Sequence, residues 1–153
     1  MATPLSGGPY LLVACICENV VERRDAVLTL VNIVDRVTFA VQSERPPETM
    51  PPVDWKGNLV VIMKAGRARG RHELRVTPEL PGGGSLRSAA MSIFFEGADD
   101  RGVQVIMPLH MSLDQEGLYW FNLELDGEEI TRLPLRTVYT RVTAGEPPVR
   151  PPT

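Results

Sequence analysis

Apolar and polar positions alternate with a period of two along most of this chain, and the apolar runs are short. The run Tyr10-Leu-Leu-Val-Ala-Cys-Ile-Cys17 has strand length and is apolar on both faces, which predicts a central strand covered on both sides. Polar residues 18–25 follow and predict a turn or a single helical turn. A second strand region covers residues 26–34; Asp35-Arg36 interrupts it before Val37, Phe39 and Val41 resume the alternation, which reads as a bulge or a bend. Residues 43–56 carry Pro46-Pro47 and Pro51-Pro52, which lack the N–H a sheet interior requires. This segment is expected to be an extended crossing between two sheets, with Trp55 inside it.

Beyond Gly57 the strands come in pairs. Residues 59–64 and 72–77 flank Ala-Gly-Arg-Ala-Arg-Gly-Arg and read as a hairpin. A flexible connector at residues 81–84 leads to Met91, Ile93 and Phe95 on one face. The next strand is the cleanest: Val103, Val105, Met107, Leu109, Met111 and Leu113 share a face, opposite Gln104, His110 and Ser112. Residues 118–125 and 128–139 flank Asp126-Gly127, a strong two-residue hairpin signal. On the first of these, Tyr119, Phe121, Leu123 and Leu125 point inward; on the second, Leu133, Leu135 and Thr137 are out of phase with Ile130, which places a bulge near Thr131-Arg132.

Eight or nine short strands with no helix of useful length predict an all-β fold, an antiparallel β-sandwich, as a single domain over residues 10–142. Residues 1–9 are expected to be flexible. The tail 143–153, with four prolines in its last ten residues, is expected to be disordered. The length of 153 residues, with 43% hydrophobic and 23% charged positions, fits one globular domain. Net charge is −3, so the basic surplus of a dedicated nucleic-acid or anionic-membrane binder is absent.

Cys15 and Cys17 are the only cysteines and, two apart on a strand, point to the same face, so they cannot clamp the fold. They read as packed thiols in a reducing, cytoplasmic setting. Leu12-Val13-Ala14-Cys15 resembles a lipoprotein cleavage box, but no basic residue and no long apolar stretch precede it. No apolar run approaches the ~18 residues of a membrane span.

At Asp114-Gln-Glu-Gly117-Leu-Tyr119 the chain resembles the tyrosine corner of immunoglobulin-like sandwiches, in which a Tyr early in a late strand bonds back to the preceding turn. Phe121 stands where an antibody domain carries its second cysteine, which excludes an antibody-type domain. Taken over residues 10–139, the chain is similar to an uncharacterised family of small bacterial proteins. The similarity lies in the opening strand type Ala14-Cys-Ile-Cys-Glu18, the closing type Gly117-Leu-Tyr-Trp-Phe121, the Asp126-Gly127 turn and the strand Leu133-Pro-Leu135. These motifs are structural, so the resemblance implies an immunoglobulin-like fold and no catalytic residues.

Chemistry-bearing residues are few. His72 and His110 have no ligand spacing to each other or to the cysteines, so neither a metal nor a cofactor is expected. Gly82-Gly83-Gly84-Ser85 lacks the Lys and the helix of a phosphate cradle. Lys64, Arg67, Arg69, Arg71 and Arg75 cluster within twelve residues, and guanidinium groups there can fork onto carboxylates of an acidic partner. Since 14 of the 16 basic residues are Arg, a solvated turn is the plainer reading. Aromatic stacking residues are missing from the segment, which disfavours nucleic acid.

Trp120 is expected to face away from the core with Leu118, either covered by the proline-rich crossing through Trp55 or exposed for binding. Residues 59–63 are also apolar on both faces, so the chain offers more apolar surface than one inter-sheet layer absorbs. The leading expectation is a non-enzymatic interaction or assembly module that contacts protein or self-associates, with Trp120 in the contact. The alternative is a small-ligand or carbohydrate-binding module with Trp120 and Trp55 as a stacking platform.

Overall fold

Leu59, Val61 and Met63 alternate on one strand and Tyr119, Phe121 and Leu123 on another, and all six meet in one buried core. The computed structural model describes residues 7–143 and builds nine strands around that core. They are β1 (Tyr10–Glu22), β2 (Leu28–Ile33), β3 (Arg36–Ser43), β4 (Val53–Lys64), β5 (Gly70–Glu79), β6 (Ala89–Phe95), β7 (Gly102–Leu113), β8 (Gly117–Leu125) and β9 (Glu128–Thr143). Sheet A has the order β2-β1-β4-β7 and sheet B the order β3-β9-β8-β5-β6. Among the described residues there is no helix, so none long and apolar enough to cross a membrane. Of the stretches expected to be flexible (1–9) and disordered (143–153), residues 1–6 and 144–153 lie outside the described residues, and Thr143 is the last residue of β9.

The all-β, two-sheet reading holds, with several corrections. The pairing is not wholly antiparallel: β3 runs parallel to β9, from Arg36 opposite Arg136 to Ser43 opposite Thr143. Val37, Phe39 and Val41 need a buried face, and the open edge of β9 supplies it without the constraint a short hairpin would impose. The Asp35-Arg36 interruption is a bend, not a bulge, and the chain changes sheet there. Val34 N–H donates to the Ile16 carbonyl in sheet A at 2.7 Å, whereas the Asp35 carbonyl accepts from Arg136 N–H in sheet B at 2.8 Å.

Residues 59–64 and 72–77 form no hairpin. β4 pairs with β1 and β7, and β5 with β8 and β6, so residues 65–69 cross from one sheet to the other. The reason is burial: Leu59, Val61 and Met63 face Leu74 and Val76 across the core, an arrangement a flat hairpin would forbid. The polar residues after Cys17 continue β1 as far as Glu22, and the turn comes only at residues 23–27, where Ala26 has φ 65°.

The proline-rich segment does join sheet B to sheet A. Tyr139, near the end of β9, fastens it by donating its hydroxyl to the Pro47 carbonyl at 2.8 Å, and Met50 is buried beside it. Trp55, however, belongs to β4, opposite Met111. The turn of the β8–β9 hairpin has positive φ at both Asp126 and Gly127, as a tight two-residue connection needs. The bulge on β9 falls at Ile130, between Glu129 opposite Glu124 and Thr131 opposite Leu123.

Candidate functional site

The arginines do not converge. Arg69, in the crossing, donates through Nη1 to the Gly66 and Ala68 carbonyls, both at 2.7 Å, and through Nη2 to Asp99 Oδ1 at 2.8 Å. It braces its own loop. Arg75, out on β5, bonds to Glu73 Oε1 at 2.9 Å. Arg67 and Arg71 are exposed, the first in the crossing and the second on the outer face of sheet B.

Trp55 and Trp120 lie on opposite sides of sheet B, which excludes one shared stacking platform. Trp55 sits on the inner side of sheet A against the core, and its ring folds over Gly57. Trp120 alternates with the core residues Tyr119 and Phe121 and so faces outward. Its cover is the Arg132 guanidinium, 4.7 Å from the ring centroid, in place of the expected Trp55. Arg132 is itself held by Asn122 at 2.7 Å and Glu79 at 3.0 Å, so this part of the outer face is a closed polar network.

His72 ties the β8–β9 turn to the crossing before β5. Its Nδ1 lies 2.5 Å from Asp126 Oδ2, its Nε2 lies 3.1 Å from the Arg69 carbonyl, and its ring meets Phe95 edge to face at 5.2 Å. Asp126 also accepts from Glu73 N–H at 2.9 Å; this bond, with the His72 hydrogen bond and charge, holds its carboxyl below the usual range against a weaker opposing effect of burial. The arrangement latches the β8–β9 turn onto β5.

The largest unabsorbed feature is the outward side of sheet A. Across the strands, Cys15 stands opposite Val60, and Val60 opposite Ile106; the flanking rows are Ile33, Cys17, Asn58 and Pro108, then Val13, Ile62 and Gln104. Cys17 and Val60 are fully buried yet stand apart from the inter-sheet core. Around them Ile33 and Leu12 are 67% and 61% exposed. β1 is an inner strand of sheet A, buried on both faces at Ile16 and Cys17, while its N-terminal part leaves Leu12 exposed; Leu11, Ala14 and Ile16 face the core, and Val13, Cys15 and Cys17 face outward.

Burial raises both thiols, and Cys15 is raised further by the neighbouring Cys17, so neither is a ready thiolate. Among the described residues no cluster of three or more His, Cys, Asp or Glu is placed to hold a metal ion. A shallow apolar cleft of about 150 Å³ borders this face, where Ile33, Val34 and Asp35 leave sheet A beside Leu133 and Pro134 of β9.

The sequence signal for this surface was the two-sided apolar character of residues 10–17 and 59–63. Alternation alone assigned its surplus to Trp120. Val60, Ile62 and Ile106 were not singled out because each is an ordinary aliphatic in an ordinary strand.

No curated protein matches the chain. Among solved structures, similarity is found to the Pseudomonas fluorescens alkylpurine DNA glycosylase AlkC bound to DNA containing an abasic site analog. That match has 11% identity and a TM-score of 0.38, and covers 65% of this chain and 27% of the other. A likeness at that level carries no functional weight. A family model, by contrast, matches residues 12–138, from the exposed Leu12 of β1 to Val138 of β9. The chain belongs to that family, which is one of unknown function (DUF6941).

Proposed function

We propose that this protein is a non-enzymatic interaction module that binds protein through the outer face of sheet A. The observation that carries the reading is the exposed apolar surface of β1 and β2, where Leu12 and Ile33 are 61% and 67% exposed beside the outward apolar row Cys15, Val60 and Ile106. Soluble domains rarely leave a sheet face of that composition in water without an occupant. An immunoglobulin-like sandwich of bacterial type is part of the proposal, supported by the Tyr119 hydroxyl at its corner and by the pairing of β3 with the last strand. Cytoplasmic placement rests on two free thiols on one strand. The carbohydrate alternative loses its support, since Trp120 lies under Arg132 and Trp55 inside the sandwich.

The test is binding of a dye that brightens on apolar surface. Chain diluted until any assembly dissociates should bind it, and Ile62→Glu should abolish the signal. Dark dye with dilute native chain would mean that the face is closed within the chain, and would remove the reading.

A further inference from the structure

We infer that β6, the free edge strand of sheet B, pairs antiparallel with β6 of a second copy of this chain and joins two five-stranded sheets into one. This contact is separate from the outer face of sheet A and goes beyond the reading given for that face.

The direction of the backbone groups shows which of them are open. Glu73 of β5 donates its N–H to Asp126 Oδ1 at 2.9 Å, and its carbonyl accepts from Asp126 N–H at 2.9 Å. Both groups therefore point toward the β8–β9 turn and away from β6. In an antiparallel pair each residue aims its N–H and carbonyl to one side, and the side alternates along the strand. Ser92 stands opposite Glu73, Phe94 opposite Arg71 and Ala90 opposite Arg75, in a register without a bulge. Ala90, Ser92 and Phe94 thus turn their N–H and carbonyl groups to the open edge, whereas Met91 and Ile93 bond to β5. Among the described residues nothing bonds to these outward groups, and all three residues are exposed.

Open edges invite pairing, and proteins blunt them with charge, proline or a break in the strand. The other edges here carry such a device. β7 has Pro108 in its middle, β2 is six residues long and broken at Asn32 with φ 55°, and β3 opens on Arg36 beside Arg136. β6 carries none: Ala89-Ala-Met-Ser-Ile-Phe-Phe95 has no charge and no proline, and Phe94 is 54% exposed.

Register selects a second copy. A twofold axis at Ser92 sets Ser92 opposite Ser92 of the partner subunit, and Ala90 opposite Phe94 of the partner subunit. The three outward residues of one strand then meet the three of the other, so every open N–H and carbonyl among them is paired at once. On the outer face the large Phe94 lies beside the small Ala90 at both ends of the pair, an order that a segment of unrelated sequence does not have built in. The nearest outward charges, Arg71, Glu73 and Arg75 of each β5, stand three strand spacings from their counterparts, about 14 Å and beyond the ~8 Å screening length. The pairing uses up both edges, so assembly stops at two. Self-association is thereby moved from Trp120, whose ring Arg132 covers, to the edge of the same sheet.

The experiment is sedimentation of the full chain from low to high micromolar concentration, with hydrogen exchange read at single amides. Ser92→Pro deletes the central outward N–H without removing a bond to β5, and Phe94→Lys places a charge on the edge at an exposed side chain. The expected result is a mass of two chains for the native protein and of one chain for both variants, with cooperative thermal melts retained. The amides of Ala90, Ser92 and Phe94 should gain protection as concentration rises, while those of Met91 and Ile93 stay protected throughout. Should Ser92→Pro fail to fold, Phe94→Lys decides alone. A native mass of one chain at high micromolar concentration, a dimer that survives Phe94→Lys, or a dimer whose edge amides stay open overturns the proposal. Edge amides protected at every dilution in a monomer overturn it as well, because the chain then covers its own edge.

Discussion

The hydroxyl of Tyr119 lies 3.2 Å from the backbone nitrogen of Gln115 and accepts its hydrogen bond, and Asp114 N–H donates to the same oxygen at 3.3 Å. Tyr119 is 1% exposed, so one buried oxygen closes two backbone donors of the turn between β7 and β8. Tyr119→Phe keeps the ring and orphans both donors, at a cost of about 1 to 2 kcal/mol. Denaturant melts of native and variant chains measure it. A midpoint equal to that of the native chain would show that water replaces the hydroxyl and that the corner contributes nothing.

Thr137 makes the opposite case. It is 2% exposed on the inner face of β9, and its Oγ1 has no hydrogen-bond partner. Thr137→Val swaps the hydroxyl for a methyl of nearly the same volume and should stabilise by up to about 1 kcal/mol, because an unpaired buried hydroxyl is worse than an apolar group. A lower melting temperature for Thr137→Val would mean that the hydroxyl has a partner in solution.

Strand existence, the face each strand buries, the proline-rich crossing and the Asp126-Gly127 turn were legible because each depends on residues within a few positions of one another. Partner choice was not. Residues 59–64 and 72–77 carry the alternation of a hairpin, and only the need of Leu59 and Leu74 to face each other across the core separates them into two sheets. The partner of β3 lies about a hundred residues away, and no local pattern marks it. The candidate site fared likewise. Arginines 69 and 75 looked free in sequence and are occupied in space, Arg69 by Asp99 thirty positions on. The outward apolar face of sheet A is an emergent property of three strands, since Cys15, Val60 and Ile106 are neighbours only after pairing.

The turn latch sets a pH dependence. Asp126 is held below the ordinary carboxylate value first by the Glu73 N–H and then by His72. A carboxylate depressed in the folded state contributes stability that is fully present above its unfolded value of about 4 and is lost as pH falls through the lower folded value. The native chain should therefore lose stability more steeply below about pH 4 than Asp126→Asn does. Asn suits the positive φ of this turn, so the substitution removes the titration without disturbing the backbone. Parallel acid limbs for the two chains would show that the latch does not couple to folding.

Trp55 and Gly57 provide the last test, because they share the inner side of β4 and the indole occupies the space a side chain at Gly57 would need. A Cβ built on Gly57 meets Trp55 Cη2 at 2.5 Å and Cζ2 at 2.9 Å, inside any tolerable contact. The glycine is required here for room, as its backbone is an ordinary strand. Gly57→Ala must tilt the indole out of its place against the core or shift β4 against the Cys17 carbonyl at 3.2 Å. Overpacking of this kind costs about 1 to 3 kcal/mol. In a Trp120→Phe background, where Trp55 is the single tryptophan, the substitution should move its emission to longer wavelength as well as lower the melting midpoint. An unchanged emission maximum and an unchanged midpoint together would mean that the ring does not lie over Gly57 and that its placement against the core is wrong.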